Sequence, residues 1–367
     1  MSKRKQYPWF FVAVVLLVFY ISFFYMERTE INDVDLLLVV GVDKEAEGYH
    51  VSALYNKDGG TDDATGGAQV IDGRGATFYE AYHDLVQKNL KSVSIAHTTF
   101  FIFGEGAAKS GMSQCLDYIE REQTVKMDAI VYLLKDMSVY EFMQKTLEDE
   151  TQFSEELNAI HEKQLDEKKV VDNTIGKVTE KLKDHTQNLF VPYLVTDEDY
   201  LYVDGYGVIK HDALVAFLDR EQSLTLDFLR NRLRTYPIFL EDGIGLEITE
   251  STVGREVQLV NGSLKVKLTI DFESDIKEVT TEDAVYEQYY VQQLVYLQNE
   301  YMSERIANLL NVSEKYQFDV VEVGKLIRNT YIYDWEAISS EWNYYLSNIS
   351  YQYSIKSQTA QSYIVAT

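Results

Sequence analysis

The chain has 367 residues, 46% hydrophobic and 13% aromatic, with 59 acidic against 34 basic side chains and a formal net charge of −25. That length and apolar content suit two or three packed domains and exclude a disordered chain. The charge argues against a nucleic-acid partner, which needs cationic side chains, and against a body lying flat on anionic lipid.

Residues 9–26 (Trp9-Phe10-Phe11-Val12-Ala13-Val14-Val15-Leu16-Leu17-Val18-Phe19-Tyr20-Ile21-Ser22-Phe23-Phe24-Tyr25-Met26) carry no charge. As a helix they are about 27 Å long, enough to cross a hydrocarbon core. Lys3, Arg4 and Lys5 precede them, and Glu27, Glu30, Asp33 and Asp35 follow. The positive-inside rule then keeps residues 1–8 in the cytoplasm and sends everything after 26 across the membrane. The exit Ile21-Ser22-Phe23-Phe24-Tyr25-Met26 lacks the small residues of a signal-peptidase site, so the expectation is an uncleaved anchor. Tyr7, Trp9, Tyr20 and Tyr25 suit the two interfacial aromatic belts.

Beyond the anchor, residues 34–44 form an apolar run that reads as a strand buried on both faces. A hairpin partner is expected at 49–55, then a Gly- and Asp-rich loop at 57–67. Phe78, Ala81, Tyr82, Leu85 and Val86 recur at the helical period, so a helix opens at Gly75-Ala76-Thr77 and runs to about residue 89. Strands are predicted at 98–103 and 127–135. Ser138 with Glu141 is a capping box for the next helix. Residues 150–185 are highly charged and read as surface helices. Short β segments follow at 190–192, 200–203, 205–210 and 213–218, then a helix at 219–233.

From residue 243 the pattern changes. Strands are expected at 246–250, 255–260 and 263–272, with Asn261-Gly262 as a hairpin turn that tolerates positive φ. Leu264, Val266, Leu268 and Ile270 alternate with Lys265, Lys267, Thr269 and Asp271, which buries one face. A long helix at 281–310, two shorter helices at 320–329 and 334–346, and a strand at 349–355 complete an antiparallel sheet with helices packed on it. The fold class is therefore mixed α/β (α+β): an N-terminal transmembrane helix, then a multi-domain ectodomain of mixed sheets and packed helices. The expected units are 27–188 (α/β), 189–242 (a small α/β middle unit) and 243–367 (α+β).

Chemical motifs are weak. Gly73-Arg74-Gly75-Ala76-Thr77 precedes a helix but lacks the Gly-Lys-Ser/Thr ending of a phosphate loop. Asp58, Asp62 and Asp63 do not match a calcium loop, and a solvated acidic loop is expected there. The histidines, His50, His83, His97, His161, His185 and His211, show no metal-ligand spacing. His97 abuts a strand and reads as a half-buried residue hydrogen-bonded at its start. The single cysteine, Cys115, excludes an internal disulfide and reads as a buried structural thiol. An exported body without disulfides suits a Gram-positive type of envelope. The long helix is expected to pack on its own sheet, and Tyr286 and Tyr290 leave two readings open, that packing or docking to a partner. No catalytic, cofactor-binding or metal residue is assigned, and no cofactor is implied.

The residues after the anchor carry a resemblance. Arg28-Thr29-Glu30-Ile31-Asn32-Asp33, running on to Gly41-Val42-Asp43-Lys44, resembles the R-E-I-N-D … G-I-D-K opening of the Ger(x)C family, the C subunits of bacterial spore germinant receptors. Gly75-Ala76-Thr77-Phe78-Tyr79-Glu80-Ala81 is similar to the family's G-x-T-x-x-E-A helix start. His97 through Gly104-Glu105 is similar to its H-x-x-x-x-x-x-G-E strand. Asp204-Gly205-Tyr206-Gly207-Val208-Ile209-Lys210 with Leu214-Val215 resembles its second-domain hairpin, and Phe318-Asp319-Val320 and the stretch from Trp335 to Trp342 have counterparts.

The resemblance spans nearly the whole exported chain. It implies a non-enzymatic subunit on the outer face of the spore inner membrane, acting with A-type and B-type membrane subunits in nutrient-triggered germination. Family members usually carry a lipoprotein cysteine after the signal. Here Phe24-Tyr25-Met26-Glu27-Arg28 has none, so the transmembrane helix is expected to replace the lipid. The alternatives from other classes are a membrane-anchored envelope hydrolase and a stand-alone solute-sensing ectodomain.

Overall fold

The computed structural model describes residues 7–24, 34–56, 67–148, 153–170, 172–197, 200–279 and 288–360. The N-terminal apolar run is helical over Tyr7–Phe24 (α1). The side chains described within it, residues 9–20, are exposed. They cover about 18 Å of helix, short of the roughly 30 Å of a hydrocarbon core. Among the described residues no helix is long and apolar enough to cross a membrane, so the transmembrane span expected over 9–26 is not found there. Tyr25 and Met26 lie outside the described residues, as do Asp58, Asp62, Asp63 and Tyr286.

The apolar run after the anchor becomes β1 (Val34–Glu45), with Leu37, Val39, Val40 and Val42 fully buried. Each such side chain contributes roughly 1.5–3 kcal/mol on burial. β2 (Gly48–Asn56) and β3 (Ala68–Gly75) pair antiparallel beside it. On the other side β5 (Phe100–Gly104), β6 (Ile130–Leu134) and β7 (Leu189–Asp197) run parallel to β1. β8 (Tyr200–Lys210) and β9 (Ala213–Leu218) close that edge as an antiparallel hairpin. The sheet order is β3-β2-β1-β5-β6-β7-β8-β9, with the short β4 (Ser92–Ser94) pairing β1 as a ninth strand.

Helices cover both faces. α2 (Phe78–Lys88), α3 (Glu105–Ser110), α4 (Ser113–Arg121) and α7 (Ile175–Leu182) pack on one face, and α5 (Val139–Glu148) and α6 (Phe153–Glu167) on the other. The predicted capping box forms at α5, and a second one forms at α2. Thr77 with Glu80 caps α2, and Ser138 with Glu141 caps α5.

The second sheet runs β10 (Tyr236–Leu240), β11 (Ile244–Val260), β12 (Ser263–Val279) and β13 (Ser350–Ala360). Asn261 and Gly262 turn the long hairpin with φ of 52° and 78°. Leu264, Val266, Leu268 and Ile270 are buried under α9 (Gln288–Tyr316), α10 (Val323–Thr330), α11 (Trp335–Ser340) and α12 (Trp342–Ser347).

Several expectations are corrected. β13 runs parallel to β12, because the helices between them carry the chain back across the sheet before it pairs. The second sheet is therefore mixed rather than antiparallel. Strands expected at 246–250 and 255–260 are one strand: residues 251–254 pair without interruption against β12, and a register shift lies just before them, between Ile248 and Glu250. β3 follows the expected 57–67 loop, in a stretch for which no strand was predicted. α7 is no surface helix, since Ile175 and Val178 are fully buried. Within 189–242, β7–β9 extend the first sheet and β10 opens the second. Phe190, Tyr206, Val208, Ala216 and Leu218 of the first sheet share one core with α8 (Arg220–Leu229), the second sheet and α9.

Candidate functional site

Three places gather polar chemistry: a cleft at the carboxyl ends of the parallel strands, an ionic seam between the two sheets, and a second cleft beside that seam.

The first cleft has a volume of about 620 Å³ and is lined by residues that include Asp43, Glu45, His50, Arg74, Glu105, Asp136, Tyr140 and Glu141. It sits where open parallel sheets commonly bind ligands. Its groups are engaged with one another. Asp43, at the end of β1, accepts hydrogen bonds from the backbone N–H groups of Val139 and Tyr140 at 3.0 and 3.1 Å. A carboxylate thus already occupies the α5 N-terminus, where an anion would otherwise bind. Burial pushes the Asp43 pKa up against these bonds. His50 is buried with both ring nitrogens facing carboxylates, Nε2 at 2.9 Å from Asp72 and Nδ1 at 3.2 Å from Glu45. Arg74 bridges the same two acids at 3.1 and 3.2 Å. Tyr140 covers the imidazole with ring centroids 4.7 Å apart.

The motif residues build this region. A β-carbon on Gly104 would collide with the Asp43 carboxylate, so the glycine lets β5 pass the cap. Likewise Gly73 lets β3 run against the backbone of Ala81 and Leu85 in α2. The G-x-G-x-T-x-x-E-A pattern is thus a strand packed directly on a capped helix.

The seam is an ionic chain. Lys181 pairs with Asp172 at 2.9 Å, Asp172 with Arg232 at 3.2 Å, Arg232 with Glu322 at 3.3 Å and Glu322 with Arg255 at 3.4 Å. Burial opposes ionisation of Asp172 and Glu322, but the surrounding cations hold both carboxyls below their usual range. Beneath this chain Arg230 is 8% exposed. It donates to the backbone carbonyls of Val320 at 2.6 Å and Asp319 at 2.8 Å, and lies 4.4 Å from the ring centre of Phe190. Asp319 accepts from the N–H groups of Val321 and Gly324, and its own N–H donates to Asn188 at 2.6 Å. The Phe318-Asp319-Val320 stretch therefore bolts the C-terminal part of the chain to the first sheet.

The second cleft, about 580 Å³, lies between α6, β8, α8, β10 and α9. Its floor holds a buried trio. The Lys168 ammonium contacts Asp227 at 3.0 Å and the Tyr206 hydroxyl at 2.6 Å, and Tyr206 donates to Asp227 at 2.8 Å. Burial would lower the Lys168 pKa, but Asp227 and Tyr206 outweigh it and the group is held charged. Leu224, Leu233, Pro237, Phe239 and Tyr301 supply apolar walls.

Of the residues singled out from sequence, Cys115 is fully buried, and burial pushes its thiol up to about 12, so it is a structural thiol. His97 is exposed at the end of a 3-10 turn, Ile95–His97, rather than half-buried at a strand start. Tyr290 packs against the second core. Sequence reasoning missed His50, Lys168, Arg230 and Asp319. His50 alternates with buried Tyr49 and Val51 on a strand, which carries no hint of its acidic neighbours. Among the described residues no group of three or more His, Cys, Asp or Glu is placed to hold a metal ion.

Comparison with known proteins divides the chain within the first sheet, between β7 and β8. The family model described as "Spore germination protein N-terminal domain" matches residues 27–196. The model described as "Spore germination B3/GerAC like, C-terminal" matches residues 204–362. No curated protein gives a match. A solved structure, described as the crystal structure of the GerBC protein, is similar with a TM-score of 0.60 at 15% identity, covering 87% of this chain and 96% of that one. At that identity the likeness is one of fold alone.

Proposed function

The chain belongs to the Ger(x)C, or GerAC-like, family of spore germination proteins, and on that premise we propose that it is the non-enzymatic C subunit of a germinant receptor. In this reading it sits beside A-type and B-type membrane subunits and acts in nutrient-triggered germination. The observation that carries the reading is the succession of both family regions along one chain, fastened to each other by the Asp172–Arg232 ion pair and the Asp319–Asn188 hydrogen bond. Support for a non-catalytic role comes from the first cleft. Its His50, Arg74 and Asp43 are spent on ion pairs and a helix cap, whereas an active site keeps such groups poised towards a substrate.

The proposal includes the tether. The N-terminal helix would hold the body at the outer face of the spore inner membrane, with residues 1–8 in the cytoplasm. The exposed apolar side chains of residues 9–20, which join none of the described cores, support it. A tether raises the local concentration of the body near its partners, so weak contacts suffice for assembly.

The test is genetic. Spores lacking this chain should lose their response to a nutrient mixture that triggers the parent, and full-length protein should restore it. Normal nutrient germination without the chain would count against the proposal.

A further inference from the structure

We infer that the cleft beside the seam binds a small amphipathic molecule with a hydrogen-bond acceptor, a carbonyl or carboxylate, at one end and an apolar body at the other. This goes beyond the subunit role proposed above, which does not require a ligand on this chain.

The polar end of the site is built rather than incidental. Gln164 is only 5% exposed and lines the cleft. The buried Tyr132 hydroxyl donates to its side-chain oxygen at 2.8 Å, which fixes the amide plane. The amide nitrogen makes no hydrogen bond to another described residue, and its side chain lines the cleft. Lys168 follows four residues later, and its backbone N–H bonds the Gln164 carbonyl at 3.1 Å, so the two side chains emerge from the same side of one turn. Of the three Lys168 ammonium hydrogens, Asp227 and Tyr206 take two. The inference assigns the third hydrogen and the Gln164 amide, both on side chains that line the cleft, to one carbonyl or carboxylate.

The rest of the cleft is shaped for an apolar body. Leu224 and Leu233 form its walls, and Tyr301 of α9 lies across from them. Phe239 stands at the lining with 72% of its surface exposed, a large apolar side chain with no core to join. A ligand packed against it would bury that surface. The volume of about 580 Å³ falls in the range of small-molecule sites, and the position between two packed units is where such sites concentrate. Asp227 balances Lys168 at the floor, and the rest of the lining carries Glu167, Asp204, Glu221 and Glu247 against Lys163 and Arg220. At the floor recognition rests on hydrogen-bond direction: an ammonium, which brings only donors, meets the donors of Lys168 and Gln164 there.

Saturation-transfer NMR on the full-length chain in lipid nanodiscs tests this, with phenylacetamide and hexanamide as acceptor-bearing probes and phenethylamine as the donor-only control. The expected result is binding of the amides in the millimolar range or tighter and at least tenfold weaker binding of the amine. Leu224→Trp, which fills the cleft, and Gln164→Leu, which removes the free donor, should each weaken amide binding tenfold or more. Should either core variant fold poorly, Phe239→Lys at the exposed mouth should reduce binding severalfold with an unchanged thermal midpoint. No amide binding, equal binding of the amine, or amide binding indifferent to the folded variants would overturn the inference. None of those outcomes bears on the subunit role, which the germination phenotype tests separately.

Discussion

The carboxylate of Asp43 lies 3.0 Å from the backbone N–H of Val139, 96 residues further along the chain. A residue at the end of β1 thus caps the helix that starts after β6, fastening one face of the first sheet. Replacing Asp43 with alanine leaves two N–H groups of α5 without acceptors and should cost about 2 kcal/mol. Asparagine keeps an acceptor and has no charge to bury, so Asp43→Asn should cost less than about 1 kcal/mol. Urea unfolding of the two variants distinguishes them. Equal losses would show that the charge, not the cap, matters.

Gly104 gives a companion test. A methyl group there meets the same carboxylate. Gly104→Ala should therefore lower the thermal midpoint, and the loss should shrink in an Asp43→Ala background, because the clash disappears with the side chain. A double-mutant cycle reads this directly, and strict additivity would contradict it.

The seam makes a stronger prediction. Arg230 satisfies two carbonyls of the 319–320 stretch from a buried position. Arg230→Ala should destabilise the protein by about 3 kcal/mol. Arg230→Lys should not restore it, since an ammonium cannot reproduce the planar fork that reaches both oxygens. Calorimetry should show one unfolding transition for the wild type and two for Arg230→Ala, as the two sheets lose their shared fastening. A single transition in the variant would mean that the shared core alone couples them.

Acid should act at the same place. The folded-state pKa values of Asp172 and Glu322 lie below their unfolded values. Their contribution is therefore fully present above the unfolded pKa, about 4, and is lost as the pH falls through the lowered folded values. Stability measured from pH 7 to pH 2.5 should decline below about pH 4. Asp172→Asn with Glu322→Gln should start lower at pH 7 and decline less. An unchanged slope in that variant would place the acid sensitivity elsewhere.

For the proposed tether, two charges on α1 are decisive. Val14→Asp with Leu17→Asp costs about 2.5–3.5 kcal/mol per charge within a bilayer. The variant should move from the membrane to the soluble fraction of broken spores. Retention on the membrane would show that another contact holds the chain there.

Much of the first unit was legible because its signals are local. The apolar run of β1, the helical period from Phe78 to Val86 and the Ser138–Glu141 box each depend on neighbours in sequence, and each forms as read. So does the Asn261-Gly262 turn. What escaped depends on distant partners. β3 is polar and Gly-rich, and it is a strand only because β2 presents a free edge. β13 looked like one more antiparallel strand, since its direction is set by the helices before it and not by its own alternation. The same limit hid both clefts. Lys168 and Asp227 are unremarkable charges until the fold buries them together, and Gln164 reads as one more polar residue of a charged helix. The family motifs were visible as patterns, but their meaning, glycines that let strands pass a cap or a helix, appears only in three dimensions.

The most direct measurement is affinity purification of the tagged full-length chain from membranes of dormant spores, solubilised in mild detergent. The account predicts that A-type and B-type receptor subunits are recovered with it in comparable amounts. Recovery of the intact chain with neither subunit, from spores that contain both, would contradict it.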